Sequence, residues 1–375
     1  MRAPVLWLAA FLLGGLALSG TPAQAQVVDP AELKNLSIEE LTQLDVTSVS
    51  RRSERLSQVA AAVTVITQED LRRSGATSLA EALSLATSLH VARSTQGSWA
   101  ISARGFNGTA ADKMLVQIDG RSIYTPLFAG VFWDVQDVLL EDVDRIEVIR
   151  GPGATLWGAN AVNGIINIIT KPAADTQGGL VTAGAGTPLE RSFGAVRYGG
   201  AFGEASDDTS AAGHYRVYGK GFDRGPLVFV SGRSAQDPMH MGQGGFRSDW
   251  HATGQDVLTL QGDAYSGQLG QALHSDTRLD GGNLLGRWSR SVSERSDLEV
   301  QVYWDRTHRD IPGQFEEHRD TWDVDLQDHL RLSEKNDLVF GGGFRSTADR
   351  VGNSASILFL PDRRTRNLFS LFAQD

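Results

Sequence analysis

Two hydrophobic periods divide this chain. Beyond Gly178, apolar and polar residues alternate with a period of two. In D-L-E-V-Q-V-Y-W-D-R, Leu298, Val300, Val302 and Trp304 alternate with Glu299, Gln301, Tyr303 and Asp305. In T-W-D-V-D-L-Q-D-H-L-R-L, Trp322, Val324 and Leu326 alternate with Asp323, Asp325, Gln327, His329 and Arg331, and Asp328 breaks the apolar row. Such alternation puts one side-chain set on each face of a strand. Weaker versions cover 180–186, 192–200, 214–222, 256–266, 283–290, 337–346 and 367–375. The reading is roughly ten strands over 178–375.

Before that, the period is mixed. A-A-V-T-V-I-T reads as a strand. Thr67 with Asp70, and Ser78 with Glu81, have capping-box spacing, so helices are expected over 68–73 and 79–87, the first stopped by Gly75. H-V-A-R-S and A-I-S-A-R-G-F read as short strands, and M-L-V-Q-I-D-G-R-S-I-Y as a hairpin about Asp119-Gly120. Strands over Arg145–Arg150 and Ile165–Thr170 flank glycine turns. Residues 59–172 thus form a small mixed α+β domain. Residues 26–58 form a polar arm, in which L-S-I-E-E-L suits a short helix and L-D-V-T-S-V-S-R-R-S-E an extended segment.

The N-terminus changes the compartment. Arg2, the apolar run Val5 to Leu18 and the small-x-small Ala23-Gln24-Ala25 make residues 1–25 a signal peptide, too short for a comfortable membrane span. The exported chain has no cysteine, which removes disulfides, thiolate metal sites and thiol catalysis. With net charge -10 and no basic block, nucleic acid is excluded as a partner. The 41 glycines exceed the average usage of about 7% and suit tight β-turns.

Alternation alone fits a soluble sandwich as well as a membrane barrel. Three features favour the barrel. Strands reach about ten residues, the length a tilted membrane strand needs. The polar face carries many charges. The connections G-Q-D, S-E-R-S and S-E-K-N are tight, whereas 223–245, 267–280, 309–318 and 347–366 are long. Short turns on one rim and long loops on the other are the outer-membrane pattern.

R-I-E-V-I-R-G-P-G-A-T-L-W-G-A-N-A-V-N-G-I-I-N-I-I-T invites a phosphate-cradle reading. It fails. Gly153 and Gly158 have P-loop spacing, but Ala159 and Asn160 stand where Lys and Ser/Thr are required. Leu156 replaces the third glycine of a dinucleotide fingerprint, and a strand follows instead of a helix.

This stretch, with A-A-V-T-V-I-T-Q-E-D-L-R-R-S-G-A-T-S-L-A-E-A-L, I-S-A-R-G-F-N-G and L-V-Q-I-D-G-R-S-I-Y-T-P-L-F-A-G-V-F-W-D, is similar to the plug signature of TonB-dependent outer-membrane receptors. The resemblance covers nearly all of the mature chain. It implies an α+β plug domain followed by antiparallel transmembrane β-barrel strands, part of a barrel of about 22 strands. It implies uptake of a scarce solute, most often a ferric siderophore, otherwise cobalamin, a sugar or copper. The work would come from TonB, with ExbB and ExbD behind it. No bond in the solute is broken, so no catalytic residue and no cofactor is expected. A passive porin or adhesin would lack the plug signature, and an exported enzyme should show a convergent catalytic set. No such set is detectable.

Residue roles follow from the resemblance. Asp45-Val46-Thr47-Ser48-Val49-Ser50 is the candidate TonB box, read by strand addition. It departs from the commoner acidic-Thr-Val-Val-Val type. Arg104, Gly105, Asp119, Gly120, Arg150, Gly151, Gly153, Gly158 and Gly164 shape the plug, with Arg150 in buried ion pairs and Glu147 a candidate partner. Arg93, Gln96, Trp99, Tyr124, Phe128, Phe132 and Trp133 are solute-contact candidates, since aromatics and Arg suit a planar anionic chelate. Met239, His240 and Met241 fall in an expected extracellular loop. Their thioethers and imidazole suit copper, but three adjacent residues cannot all point one way in an extended chain. No metal ligand set is assigned. Finally, about ten strands cannot enclose such a plug, and the chain ends in N-L-F-S-L-F-A-Q-D without a terminal aromatic. A fragment of a longer receptor is expected, because open strand edges are not viable in lipid.

Overall fold

The computed structural model describes residues 45–47, 51, 54–59, 61–105, 107–110, 113–158, 160–203, 213–333 and 336–375. The expected signal peptide and Ser48, Val49 and Ser50 lie outside these residues. The described residues begin with β1 (Asp45–Val46), antiparallel to β2 (Glu54–Arg55). Next come β3 (Ala62–Thr67), α1 (Gln68–Ser74), α2 (Leu79–Ala82), β4 (His90–Thr95) and β5 (Ser98–Ser102). Then follow β6 (Met114–Ile118), β7 (Arg121–Ser122), β8 (Val143–Arg150), α3 (Ala154–Trp157) and β9 (Gly164–Thr170). A five-stranded sheet has the order β3-β8-β9-β6-β7, with β6 parallel to β9, and β4 and β5 pair separately. Its core is apolar, built from residues such as Leu79, Leu83, Val116, Ile146, Ile166 and Ile168.

Local chemistry explains the small elements. Thr67 caps α1: its side chain accepts from the Asp70 N–H, while the Asp70 carboxylate accepts from the Thr67 N–H. Gly75 closes α1 at φ 70°. At Ser78 only half of the box forms, because Glu81 turns to the Thr77 N–H and hydroxyl at 3.0 and 2.9 Å. The second helix is shorter than the expected 79–87. It tightens to a 3₁₀ turn over Leu83–Leu85, where the Ser84 hydroxyl donates to the Glu81 carbonyl. The glycine stretch after β8 also holds one helical turn, α3, where turns alone are expected.

The rest is one ten-stranded antiparallel meander. It comprises β10 (Gly178–Gly184), β11 (Glu190–Phe202), β12 (Gly213–Arg224), β13 (Met239–His251) and β14 (Asp256–Leu269). It continues through β15 (Thr277–Ser293), β16 (Ser296–Ile311), β17 (Phe315–Arg331), β18 (Asp337–Gly352) and β19 (Arg363–Gln374). Two expected loops are partly strand, although 225–238 stays a long loop. The stretch 223–245 contains the start of β13, whose Gly242, Gly244 and Gly245 blur the alternation. The stretch 309–318 is almost all ladder, turning only at 312–314. Both faces are polar there, so the period-two signal fades while backbone pairing continues. Strands of up to 17 residues exceed the roughly 9–11 that a tilted membrane strand needs.

The burial of the two faces is inverted relative to a soluble protein. Arg309 and Glu317 are buried, at 4% and 0% exposure, while Trp322 and Phe369 stand 56% and 76% exposed. The charged face is turned onto the plug sheet, and the apolar face is turned outward. That polarity suits hydrocarbon outside and polar partners inside. We expect Val324→Arg, on the outward face, to cost about 2–4 kcal/mol of stability in lipid vesicles, less if the site lies near the membrane surface. Denaturant unfolding in vesicles checks it, and an unchanged midpoint would contradict a lipid-facing Val324.

Candidate functional site

Plug charges meet wall charges strand by strand. Asp142 pairs with Arg197 of β11 and, at 3.2 Å, with Arg216 of β12. Lys220 of β12 donates to Asp137 at 2.7 Å and to the Val138 carbonyl at 2.8 Å. The Asp119 carboxylate accepts from the Thr170 N–H and hydroxyl, each at 2.8 Å, and from Gln261 of β14 at 2.9 Å. Arg287 of β15 donates to the Asp119 carbonyl at 2.6 Å. Arg121 pairs with Asp305 of β16. Arg309, also on β16, grips both oxygens of Asp134 at 2.8 and 2.7 Å and lies 3.9 Å over the Phe132 ring.

The Asp119-Gly120 turn has φ of 49° and 83°, the left-handed pair that a two-residue hairpin needs. A Cβ on Gly120 would also meet the Gln301 amide at 2.9 Å. Gly164 is tighter against backbone: a Cβ there would lie 2.5 Å from the Ile149 carbonyl oxygen. These glycines let strands of the plug and wall approach closely.

The start of the described chain is held at the plug. Val46 is buried. The Thr47 N–H donates to both oxygens of the wholly buried Glu147, each at 3.1 Å. Glu147 also receives Arg145 at 2.8 Å. The Arg51 guanidinium lies between Trp157 and Phe372, 4.4 and 4.2 Å from the ring centroids, and pairs with Asp325 at 3.2 Å. Burial lowers the Arg51 pKa, and Asp325 pulls it the other way. Gln327 donates to the Arg51 carbonyl at 2.8 Å. Arg150 takes no part in this cluster. Strand parity turns residue 150 to the face opposite Arg145 and Glu147, and its place at the end of β8 leaves it exposed. The Thr47–Glu147 contact spans 100 residues and left no local sequence signal.

The solute-contact candidates separate. Trp99 and Trp133 are buried in the plug core. Arg93 lies 4.9 Å over Trp99 and 3.5 Å from Glu81, and its pKa is lowered first by burial and next by Arg224. Gln96 is also buried. Its N–H donates to Asp237 at 2.9 Å and its side chain to the Gly225 carbonyl, which ties the β4–β5 turn to the loop 225–238. Phe128 packs edge-on to Phe132 at 4.7 Å. Tyr124 lines a cavity of about 500 Å³ between plug and wall, with Arg319, Arg345, Arg364 and Arg366 among its neighbours. Sequence reasoning missed these arginines. The signal was their inward parity on three adjacent strands, which needs the sheet register to read.

Met239, His240 and Met241 lie in β13, not in a loop. Met239 and Met241 are buried against Val135 and Leu279 on the plug side, whereas His240 is exposed on the opposite face. The period-two alternation splits the trio, so it cannot chelate one ion.

Arg309→Ala should cost about 3–5 kcal/mol, because it strands the buried Asp134 carboxylate. Asp320→Ala, which frees the exposed outward Arg306, should leave the unfolding midpoint unchanged. Guanidinium unfolding in detergent distinguishes the two, and equal effects would sink the distinction. Glu147→Gln should loosen the N-terminal segment, read as increased mobility of a spin label at Asp45. A label as immobile as in the parent protein would show that Glu147 does not hold the segment.

Known proteins are similar to this chain in sequence and fold. Residues 55–165 match the family model described as TonB-dependent Receptor Plug Domain. Over 204 residues the chain is 31% identical to the vitamin B12 transporter BtuB of Vibrio cholerae, covering 54% of this chain and 31% of that protein. Over 212 residues it is 29% identical to the ferric enterobactin receptor PirA of Pseudomonas aeruginosa, covering 52% and 27%. The solved structure of the copper transporter OprC superimposes with a TM-score of 0.63 at 16% identity, over 83% of this chain and 51% of that one, which is a likeness of fold. The chain therefore spans less than a third of the length of these curated relatives and about half of the solved structure. Plug signature, charged inner wall and apolar outer face converge on one assignment: residues 55–165 are a TonB-dependent receptor plug domain, and the chain is similar to receptors that carry one.

Proposed function

We propose that the protein takes up a scarce anionic solute, a ferric siderophore, across the outer membrane. In this reading residues 1–25 are the export signal and 26–58 the periplasmic arm. Residues 59–172 are the plug, and 178–375 form part of a barrel of about 22 strands. TonB, driven by ExbB and ExbD, pulls on the segment Asp45–Ser50 by strand addition. The plug faces the periplasm on that side. The outward apolar side chains meet outer-membrane lipid.

The observation that carries the reading is the seating of the Asp45–Thr47 segment. It is extended, and its anchor on the plug is the Thr47 N–H held by Glu147. Release of that carboxylate contact, together with the β1–β2 pairing and the burial of Val46, would free a strand for a partner. For the solute, the cavity beside Tyr124 supports an anion: four arginines border it, and Arg guanidinium recognises planar, oxygen-rich chelates. PirA, named as a ferric enterobactin receptor, is among the relatives. Cobalamin is the alternative, favoured by the likeness to BtuB, while carbohydrate and copper have no supporting feature in this cavity.

The test is deletion of residues 45–50 in the full-length protein, with binding and uptake measured separately. Uptake of the ferric chelate should stop while binding to cells persists. Unchanged uptake would overturn energised transport. Binding of cobalamin but no ferric chelate would move the assignment to the corrinoid.

A further inference from the structure

We propose that the outward face of the β16–β17 hairpin carries a divalent-metal site of the zinc type. Its ligands are His308 Nε2, His318 Nε2 and a Glu316 carboxylate oxygen. The site is separate from the plug and from the arginine-lined cavity, because His308 and His318 point away from both.

Register builds the site. His308 stands directly opposite His318 across the hairpin. Their rings stack at 4.2 Å between centroids, 7° from parallel. Both Nε2 atoms lie 3.1 Å from the same Glu316 oxygen, and one ligand atom from each residue falls within 4.8 Å of the others. Two nitrogens at about 2.0–2.1 Å and one oxygen at about 2.0–2.2 Å are what zinc takes in such a set.

A fourth residue orients the set. Asp280 lies opposite His308 on β15, and its carboxylate sits 2.8 Å from His308 Nδ1. With a metal bound, the Asp280 carboxylate would hold the proton on Nδ1, and the metal would replace the Nε2 proton that now faces Glu316. Carboxylate–histidine pairs of this kind accompany metal-bound imidazoles. Two nitrogens with one oxygen favour zinc or copper over calcium or magnesium. Arg350, opposite His318 on β18, Arg278, opposite Asp310 on β15, and Arg363, opposite Arg350 on β19, are neighbouring cations; Asp280, Glu316 and Asp310 set three carboxylates against them.

The position suits an ion. On the same outward face, Trp304 and Trp322 pair at 6.3 Å. Aromatics of this kind mark the edge of a lipid-facing band. The Arg306–Asp320 pair follows, and the histidines lie four residues beyond the tryptophans, about 14 Å along the strand at about 3.4 Å per residue. Charged ligands are tolerated there, with water free to fill the remaining coordination position.

The test uses the full-length protein without a histidine tag, folded in detergent and stripped with a chelator, titrated with zinc chloride by calorimetry. One Zn²⁺ per chain should bind, and His308→Ala and His318→Ala should each abolish it. Asp280→Asn should weaken it about 10–100-fold, while His240→Ala should leave it intact. With Cu²⁺ as probe, electron paramagnetic resonance should show two coordinated nitrogens, falling to one in His318→Ala. Resistance to unfolding in cold detergent confirms that each variant is folded. No stoichiometric Zn²⁺ binding by the folded parent, or equal binding by the His308→Ala/His318→Ala double variant, would overturn the proposal. Equal affinity in Asp280→Asn would remove the orienting role of that carboxylate.

Discussion

A buried charge must find a partner, and this structure is arranged around that demand. The inward face of the ten-stranded sheet carries Arg197, Arg216, Lys220, Arg247, Arg287, Arg309 and Arg319, all shielded from bulk water to some degree. An unpaired charge in such a place costs several kcal/mol. The plug supplies counter-charges on the loops that face the wall, Asp142, Asp137, Asp119 and Asp134, while Asp249, Glu299 and Glu317 of the wall itself pair with Arg247, Arg287 and Arg319. The polarity reverses at Arg121 with Asp305 and at Arg51 with Asp325. Complementary charge, not apolar contact, registers the plug against the wall.

This division of labour has a mechanical consequence. The plug holds itself together through its own apolar core. Its attachment to the wall is mostly ion pairs and hydrogen bonds, apart from a small apolar contact of Val135 with Met239, Met241 and Leu279. Water can replace polar contacts at little net cost, because hydrated groups exchange one hydrogen bond for another. A force on the N-terminal segment would therefore meet less resistance at the plug–wall boundary than inside the plug. The Glu147 contact to Thr47 lies at the start of that path.

Strand parity decides which groups take part in any site. It turns Arg150 away from Glu147 and splits Met239 and Met241 from His240. The same rule brings His308, His318 and Glu316 onto one outward face although they are separated along the chain. Residues that read as a cluster in sequence are divided by a pleat, and residues that read as scattered are joined by register.

The local sequence determined much by itself. The Thr67–Asp70 cap, the Gly75 stop, the Asp119-Gly120 turn and the period-two strands depend on neighbours a few residues away, so their chemistry is legible in order. The strands hidden in 239–251 and 309–318 were not, because glycine and two-sided polarity erase alternation without stopping backbone pairing. Nor could alternation say which face is wet: that sign appeared only when the charged face was seen buried and the apolar face bare. Among the solute-contact candidates, Trp99, Trp133 and Gln96 looked the same in sequence as Tyr124, yet packing buried the first three and left Tyr124 beside a cavity. The Thr47–Glu147 bond, the wall arginines and the histidine pair join residues far apart or on different strands. Only tertiary structure decides such contacts, because sheet register and plug docking place them, and neither is encoded in any short stretch of chain.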